Sequence, residues 1–186
     1  MLENTFQTLA IIGMAGTFLA VAMHFLVSGR KRRAGLPQVE ARRMGRWHRL
    51  VYAVTALAFG TLAVTAFWPV LGGESISGWL LMLHVAAGPV FVLGLIGLAV
   101  LWAERCRFAT RDAPAGQFAT ARKVVFWVLV ALGCVLMLTT MFSMTQMFGT
   151  PGQEFLLDVH RYAALLIVMA GIVHVYLAGV ARRRPG

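Results

Sequence analysis

Charge is scarce in this sequence. Only 13% of its 186 residues are Asp, Glu, Lys or Arg, while 59% are hydrophobic. A soluble domain of ordinary composition carries about a quarter charged residues, so the apolar surface here must face lipid as well as a core. Cysteine is nearly absent too. Cys106 and Cys134 stand far apart, with no CxxC, no CxxCH and no zinc-type spacing, which excludes a covalently attached c-type haem and leaves two unpaired thiols. Lys, Asp and Glu are missing from the middle of every long apolar run, so no carboxylate or ammonium chain is available there to relay protons. Repeats and low-complexity stretches are also lacking. The formal net charge of +10 does not point to nucleic acid, because the basic residues gather in short segments between the apolar runs, which is the membrane pattern.

The runs themselves set the fold class. A bilayer core takes about 20 apolar residues in helix, and five stretches reach that length: Phe6–Val27, Leu50–Leu71, Gly78–Trp102, Val124–Phe148 and Phe155–Val180. The expectation is an all-α integral membrane bundle in one domain, with no soluble domain of its own. The first run is not read as a signal peptide. Its start, Met-Leu-Glu-Asn, lacks the positive n-region, and the basic block Arg30-Lys31-Arg32-Arg33 follows the apolar core instead of preceding it. A retained helix entering with its amino terminus outside fits better. Pro69, Gly72 and Gly73 are expected to end the second helix, and Thr150-Pro151-Gly152 to turn the chain before the fifth. Gly35, Pro37, Pro114 and Gly116 break the two longer loops.

Five spans sort the charges. One side receives Arg30, Lys31, Arg32, Arg33, Arg42, Arg43, Arg46 and Arg49, then Arg105, Arg107, Arg111, Arg122 and Lys123, then Arg182, Arg183 and Arg184. Of the 17 Lys and Arg residues only Arg161 falls elsewhere. The opposite side carries Glu3, Glu74, Glu154 and Asp158. The positive-inside rule then predicts a multi-pass protein of a bacterial inner membrane, amino terminus periplasmic and carboxyl terminus cytoplasmic. Trp47, Trp68, Trp79 and Trp102 sit near span ends, where interfacial aromatics belong.

Intramembrane ionisable residues are costly and are functional candidates by default. Here they are histidines: His24, His48, His84, His160 and His174. One histidine in a span is more often a hydrogen-bonded polar residue than a ligand. Four of these, however, pair by depth. His48 and His174 lie toward the inner side on two different helices, and His84 and His160 toward the outer side, again on two helices. His160 and His174 are separated by 14 residues, nearly four whole helical turns, so they share a face roughly 21 Å apart. Two stacked bis-histidine b-type haems need this layout. Small residues nearby supply room: Ala86, Ala87 and Gly88 after His84, and Ala163, Ala164, Ala170 and Gly171 in the fifth run. His24 is a fifth histidine with no unused partner. A structural or lipid-facing role, a quinone-site role and haem ligation in place of His48 all stay open for it.

These motifs carry a family resemblance over about residues 43–180. Arg46-Trp47-His48, Leu83-His84-Val85-Ala86-Ala87-Gly88, Arg122-Lys123-Val124-Val125-Phe126-Trp127, and His160 followed by His174-Val175-Tyr176-Leu177-Ala178 together resemble the cytochrome b (gamma) subunit of respiratory formate dehydrogenases. That family overlaps with the hydrogenase and thiosulfate reductase cytochromes b and with b561-type diheme anchors. The resemblance implies a four-helix diheme core with residues 6–27 as an additional amino-terminal helix. His84 and His160 would hold the outer haem, and His48 and His174 the inner haem. It implies partners on the periplasmic side, an iron–sulfur subunit and a catalytic oxidoreductase subunit, and a quinone as electron acceptor near the cytoplasmic side. His24, Arg122, Lys123 and His174 are the candidate quinone residues; Arg122 and Lys123 read equally well as interfacial residues snorkelling to headgroups. The sequence departs from the family in its added first helix. It also has Ala119 and Arg122 where the family has Asn and Gln, and the family's longer cytoplasmic tail is expected to be absent. Two other readings compete: a stand-alone b561-type oxidoreductase acting on quinol, superoxide or ferric iron, and a non-redox membrane interaction protein whose histidines are merely polar.

Overall fold

In a computed structural model, residues 2–31, 45–104, 106 and 117–182 are described. They form five long helices: α1 (Leu2–Lys31), α2 (Arg46–Leu71), α3 (Gly78–Trp102), α4 (Gln117–Ser143) and α5 (Gly149–Arg182), with one 3₁₀ turn at Gln146–Phe148. Among the described residues there is no strand. Every helix contains a segment long and apolar enough to cross a membrane, the shortest of 23 residues and the longest of 31. The outward surface agrees. Ile12, Phe18, Leu57, Leu93 and Val100 are all more than 60% exposed, far more apolar surface than a soluble monomer presents. The chain is therefore an all-α, multi-pass membrane protein. Arg32, Arg33, Gly35, Pro37, Arg42, Arg43, Arg105, Arg107, Arg111, Pro114, Gly116, Arg183 and Arg184 lie outside the described residues.

The helices assemble as two antiparallel hairpins, α2 against α3 and α4 against α5, which meet each other more sparsely; α1 lies along α5 and touches α2. Small residues set the close approaches, as expected where lipid gives helices no hydrophobic drive to associate. A Cβ at Gly94 of α3 would overlap the side chain of Thr55 in α2. A Cβ at Gly171 of α5 would lie 2.9 Å from the ring of Phe59 in α2. Two apolar clusters join the hairpins. Ala58, Phe91, Leu95 and Ile167 tie α2, α3 and α5 together. Phe6, Ala10, Phe67 and Leu165 seat α1 on α2 and α5, with the Phe6 and Tyr162 rings edge to face at 5.5 Å.

Three helix ends differ from expectation. The fourth apolar run is expected to reach Phe148, but α4 stops at Ser143 and Gln146–Phe148 forms the separate 3₁₀ turn. Thr150-Pro151-Gly152 does not turn the chain; it forms the first turn of α5. Proline is tolerated there because the first helical N–H groups have no partner to lose. The reversal is made one step earlier by Gly149, whose φ of 61° is a conformation glycine adopts without strain. Pro69 likewise lies inside α2, which runs on to Leu71.

Candidate functional site

The four depth-paired histidines all fall on the two hairpins, one on each of α2 and α3 and two on the unbroken α5. The outer two are held in the same way. Nδ1 of His84 lies 3.0 Å from Oγ1 of Thr65 on α2. Nδ1 of His160 lies 3.0 Å from Oγ1 of Thr139 on α4, with Thr140 Oγ1 at 3.5 Å. Each hairpin thus carries a threonine on its first helix and a histidine on its second, joined across the hairpin. In each case the ring's other nitrogen, Nε2, is the one not used in that contact.

Thr65 and Thr139 are 3% and 6% exposed, and with Thr55 they make up the buried polar residues among those described. Sequence reasoning passed over both. The signal was there in outline: each precedes its histidine by a similar interval, 19 residues for Thr65 and 21 for Thr139. A threonine inside an apolar run reads as ordinary small filling until its partner across the hairpin is known.

At the inner end the arrangement is aromatic. The His48 ring meets Trp102 at the end of α3, edge to face at 5.2 Å. His174 faces Tyr52 at 6.4 Å. Tyr52 is one turn along α2 from His48, on the same face, so His174 packs against the stripe of α2 that bears His48. The described contacts of both inner histidines run to these aromatic rings and not to each other. Burial pushes the Cys106 thiol above its ordinary value, outweighing the attraction of Lys123 and Arg122 for its thiolate. The carbonyl of Cys106 accepts a hydrogen bond from Trp127 Nε1 at 3.0 Å, which pins the segment after α3 to α4.

His24 stands apart from both pairs. It hydrogen-bonds through Nδ1 with the Tyr176 hydroxyl, and the two rings are edge to face at 5.5 Å. Beside this pair is a cleft of about 500 Å³ between α1, α4 and α5, lined by Thr17, Val21, His24, Ala121, Val173 and Tyr176 among others. Its size falls in the ordinary range for small-molecule sites. At the far end of α5, Arg161 forms an ion pair of 3.8 Å with Asp158, so the one basic residue outside the basic segments has its charge answered locally.

The donor chemistry fits haem at the outer pair. Each of the two hairpins offers one imidazole with its Nδ1 engaged by a threonine, and a bis-histidine haem would take one imidazole nitrogen from each of two helices. Gly88 follows His84 by one turn; it is partly buried, and a Cβ there would meet nothing within 4 Å. Among the described residues no three His, Cys, Asp or Glu side chains gather into a metal site, and a bis-histidine haem asks for none. No protein-family model, curated protein or solved structure matches the chain, so the resemblance to the formate dehydrogenase cytochromes rests on the quoted motifs.

Proposed function

We propose that this chain is a diheme cytochrome b of a bacterial inner membrane. It would act as the anchor subunit that links a periplasmic iron–sulfur partner, and the oxidoreductase subunit behind it, to membrane quinone. The observation that supports this reading is the matched pair of outer histidines, His84 and His160, one on each hairpin and each with Nδ1 held at 3.0 Å by a buried threonine. Bound haem supplies a one-electron carrier at each of two depths. The protein supplies the rest. His84 and His160 hold the outer group, and His48 and His174 the inner one. α5 fixes the interval between the two sites, because His160 and His174 lie on one continuous helix. The cleft between α1, α4 and α5 is assigned to the quinone: apolar walls for its ring and tail, and His24 and Tyr176 as polar atoms facing its oxygens. Arg122 and Lys123, at the start of α4 beside that cleft, are placed to attract anionic species and lipid headgroups at the inner surface.

The test is spectroscopic. A short-chain quinol added to the purified, oxidised protein should raise the absorption bands of a reduced b-type cytochrome. A protein without haem bands would favour the non-redox reading, and a haem protein that responds fully while no iron–sulfur subunit copurifies would favour the stand-alone oxidoreductase.

Direction follows from topology. A reporter active only in the periplasm should be active when fused after Gly73 and silent when fused after Gly186. The reverse pattern would make His48 and His174 the periplasmic pair and invert the proposed flow. In the proposed direction each electron moves inward against the membrane field, at about 2.3 kcal/mol per 100 mV, so the donor and the quinone must differ in potential by enough to drive it.

A further inference from the structure

We propose that Thr65 and Thr139 are positioning residues that lock both outer imidazoles in one tautomer, with the proton on Nδ1 and the lone pair on Nε2. The inference rests on the haem reading above and concerns what these two side chains do for it.

A threonine hydroxyl has one proton to give and two lone pairs. Thr65 Oγ1 lies 2.8 Å from the carbonyl oxygen of Thr61 and 3.2 Å from that of Leu62. Thr139 Oγ1 lies 2.9 Å from the carbonyl oxygen of Val135 and 3.0 Å from that of Leu136. A carbonyl cannot donate, so these short contacts commit the hydroxyl proton to the helix's own backbone, a usual habit of threonine within helices. The remaining contact, to the histidine, then requires the ring to donate. Nδ1–H gives its proton to the threonine oxygen, and a neutral imidazole so arranged bears its lone pair on Nε2. That is the nitrogen an iron ligand must present. The opposite tautomer would set two lone pairs facing each other at 3.0 Å in an apolar span, with no water to relieve them.

The same device occurs twice, on two hairpins with different local sequence, and both threonines are almost fully buried. Together they place the lone pair of each outer ring on Nε2. Accepting from Nδ1–H also raises ring basicity, which favours the more oxidised metal. The two threonines therefore lower the midpoint potential of the outer group and hold it in place.

The experiment uses the purified full chain and compares Thr65→Val and Thr139→Val with Thr65→Ser and Thr139→Ser. Haem content per chain and a redox titration of the haem absorbance are the readouts. Each valine variant should weaken retention of one haem by about 10- to 100-fold and shift upward the midpoint of whatever remains of it. Both variants should affect the same titrating component, the one that disappears in His84→Ala, and the serine variants should behave as wild type. Valine variants with unchanged haem content and midpoints would overturn the assignment. So would serine variants that fall as far as valine, since packing and not the hydroxyl would then be at issue. Equal loss of both haems would also count against it. Wild-type protein devoid of haem defeats the haem reading itself, an outcome visible before any variant is read.

Discussion

His84→Ala is expected to halve the haem content of the purified protein. The outer group would keep one axial nitrogen, from His160, and lose the other. Low-spin bis-histidine character should vanish from that component while the inner component keeps its spectrum. The structure gives a reason to expect selectivity. His84 hangs from Thr65 on its own hairpin, and the inner aromatic cluster of His48, Trp102, Tyr52 and His174 is built from other residues. Removing a half-buried imidazole from one end of α3 therefore leaves the other end's contacts in place. Haem counted by pyridine haemochrome, alongside the reduced spectrum, reads the result. A variant with both haems intact would remove His84 from the ligand set.

His174→Ala is expected to act at the opposite end and on function. The inner haem should be lost, the outer one retained, and quinol-dependent reduction abolished. Electrons entering from quinol would have no carrier beside the cleft. The same substitution also vacates the ring that faces Tyr52. His174→Phe is the companion variant, restoring an aromatic body without a ligand nitrogen. If the phenylalanine variant regains quinol reactivity, His174 serves by packing and not by ligation. His24→Ala belongs in the same series. It should leave both haems and weaken only the response to quinol, because His24 bonds with Tyr176 at the cleft. Loss of a haem in that variant, with His48→Ala silent, would instead make α1 the source of an inner ligand.

The architecture was legible because lipid imposes a simple code. A run of about 20 apolar residues can satisfy its backbone inside a bilayer only as helix, so each apolar stretch corresponds to one helix, although α4 spans Gln117–Ser143 where the run is Val124–Phe148. What the code does not contain is how a proline at the edge of a run will be used. Pro151 reads as a turn signal, yet it fits the first turn of α5 because Gly149 supplies the reversal one step earlier. Helix termini in the basic segments extend past the apolar runs, as in α1 to Lys31 and α2 from Arg46, since charged residues continue a helix into water without penalty.

For the candidate site, position along the chain located the histidines but not their partners. Depth alone pairs His84 with His160, and the structure shows each held by a threonine across its own hairpin. Depth equally pairs His48 with His174, and there the structure shows each against an aromatic ring, related through the face of α2 that carries Tyr52. The threonines were illegible for a physical reason. A hydroxyl is small enough to pass in an apolar run, and its importance comes from a residue on the next helix, across a turn whose geometry sequence periodicity does not define. His24 shows the same limit. Its partner, Tyr176, is 152 residues away, and only the packing of α1 on α5 joins them.

The proposed pair of b-type haems, one at each depth, can be counted directly. The most direct test is the ratio of haem to protein in the purified wild-type chain, by pyridine haemochrome against quantitative amino-acid analysis. Two haems per chain, both low-spin, are expected. One haem per chain would break the pairing by depth, and none would contradict haem binding altogether.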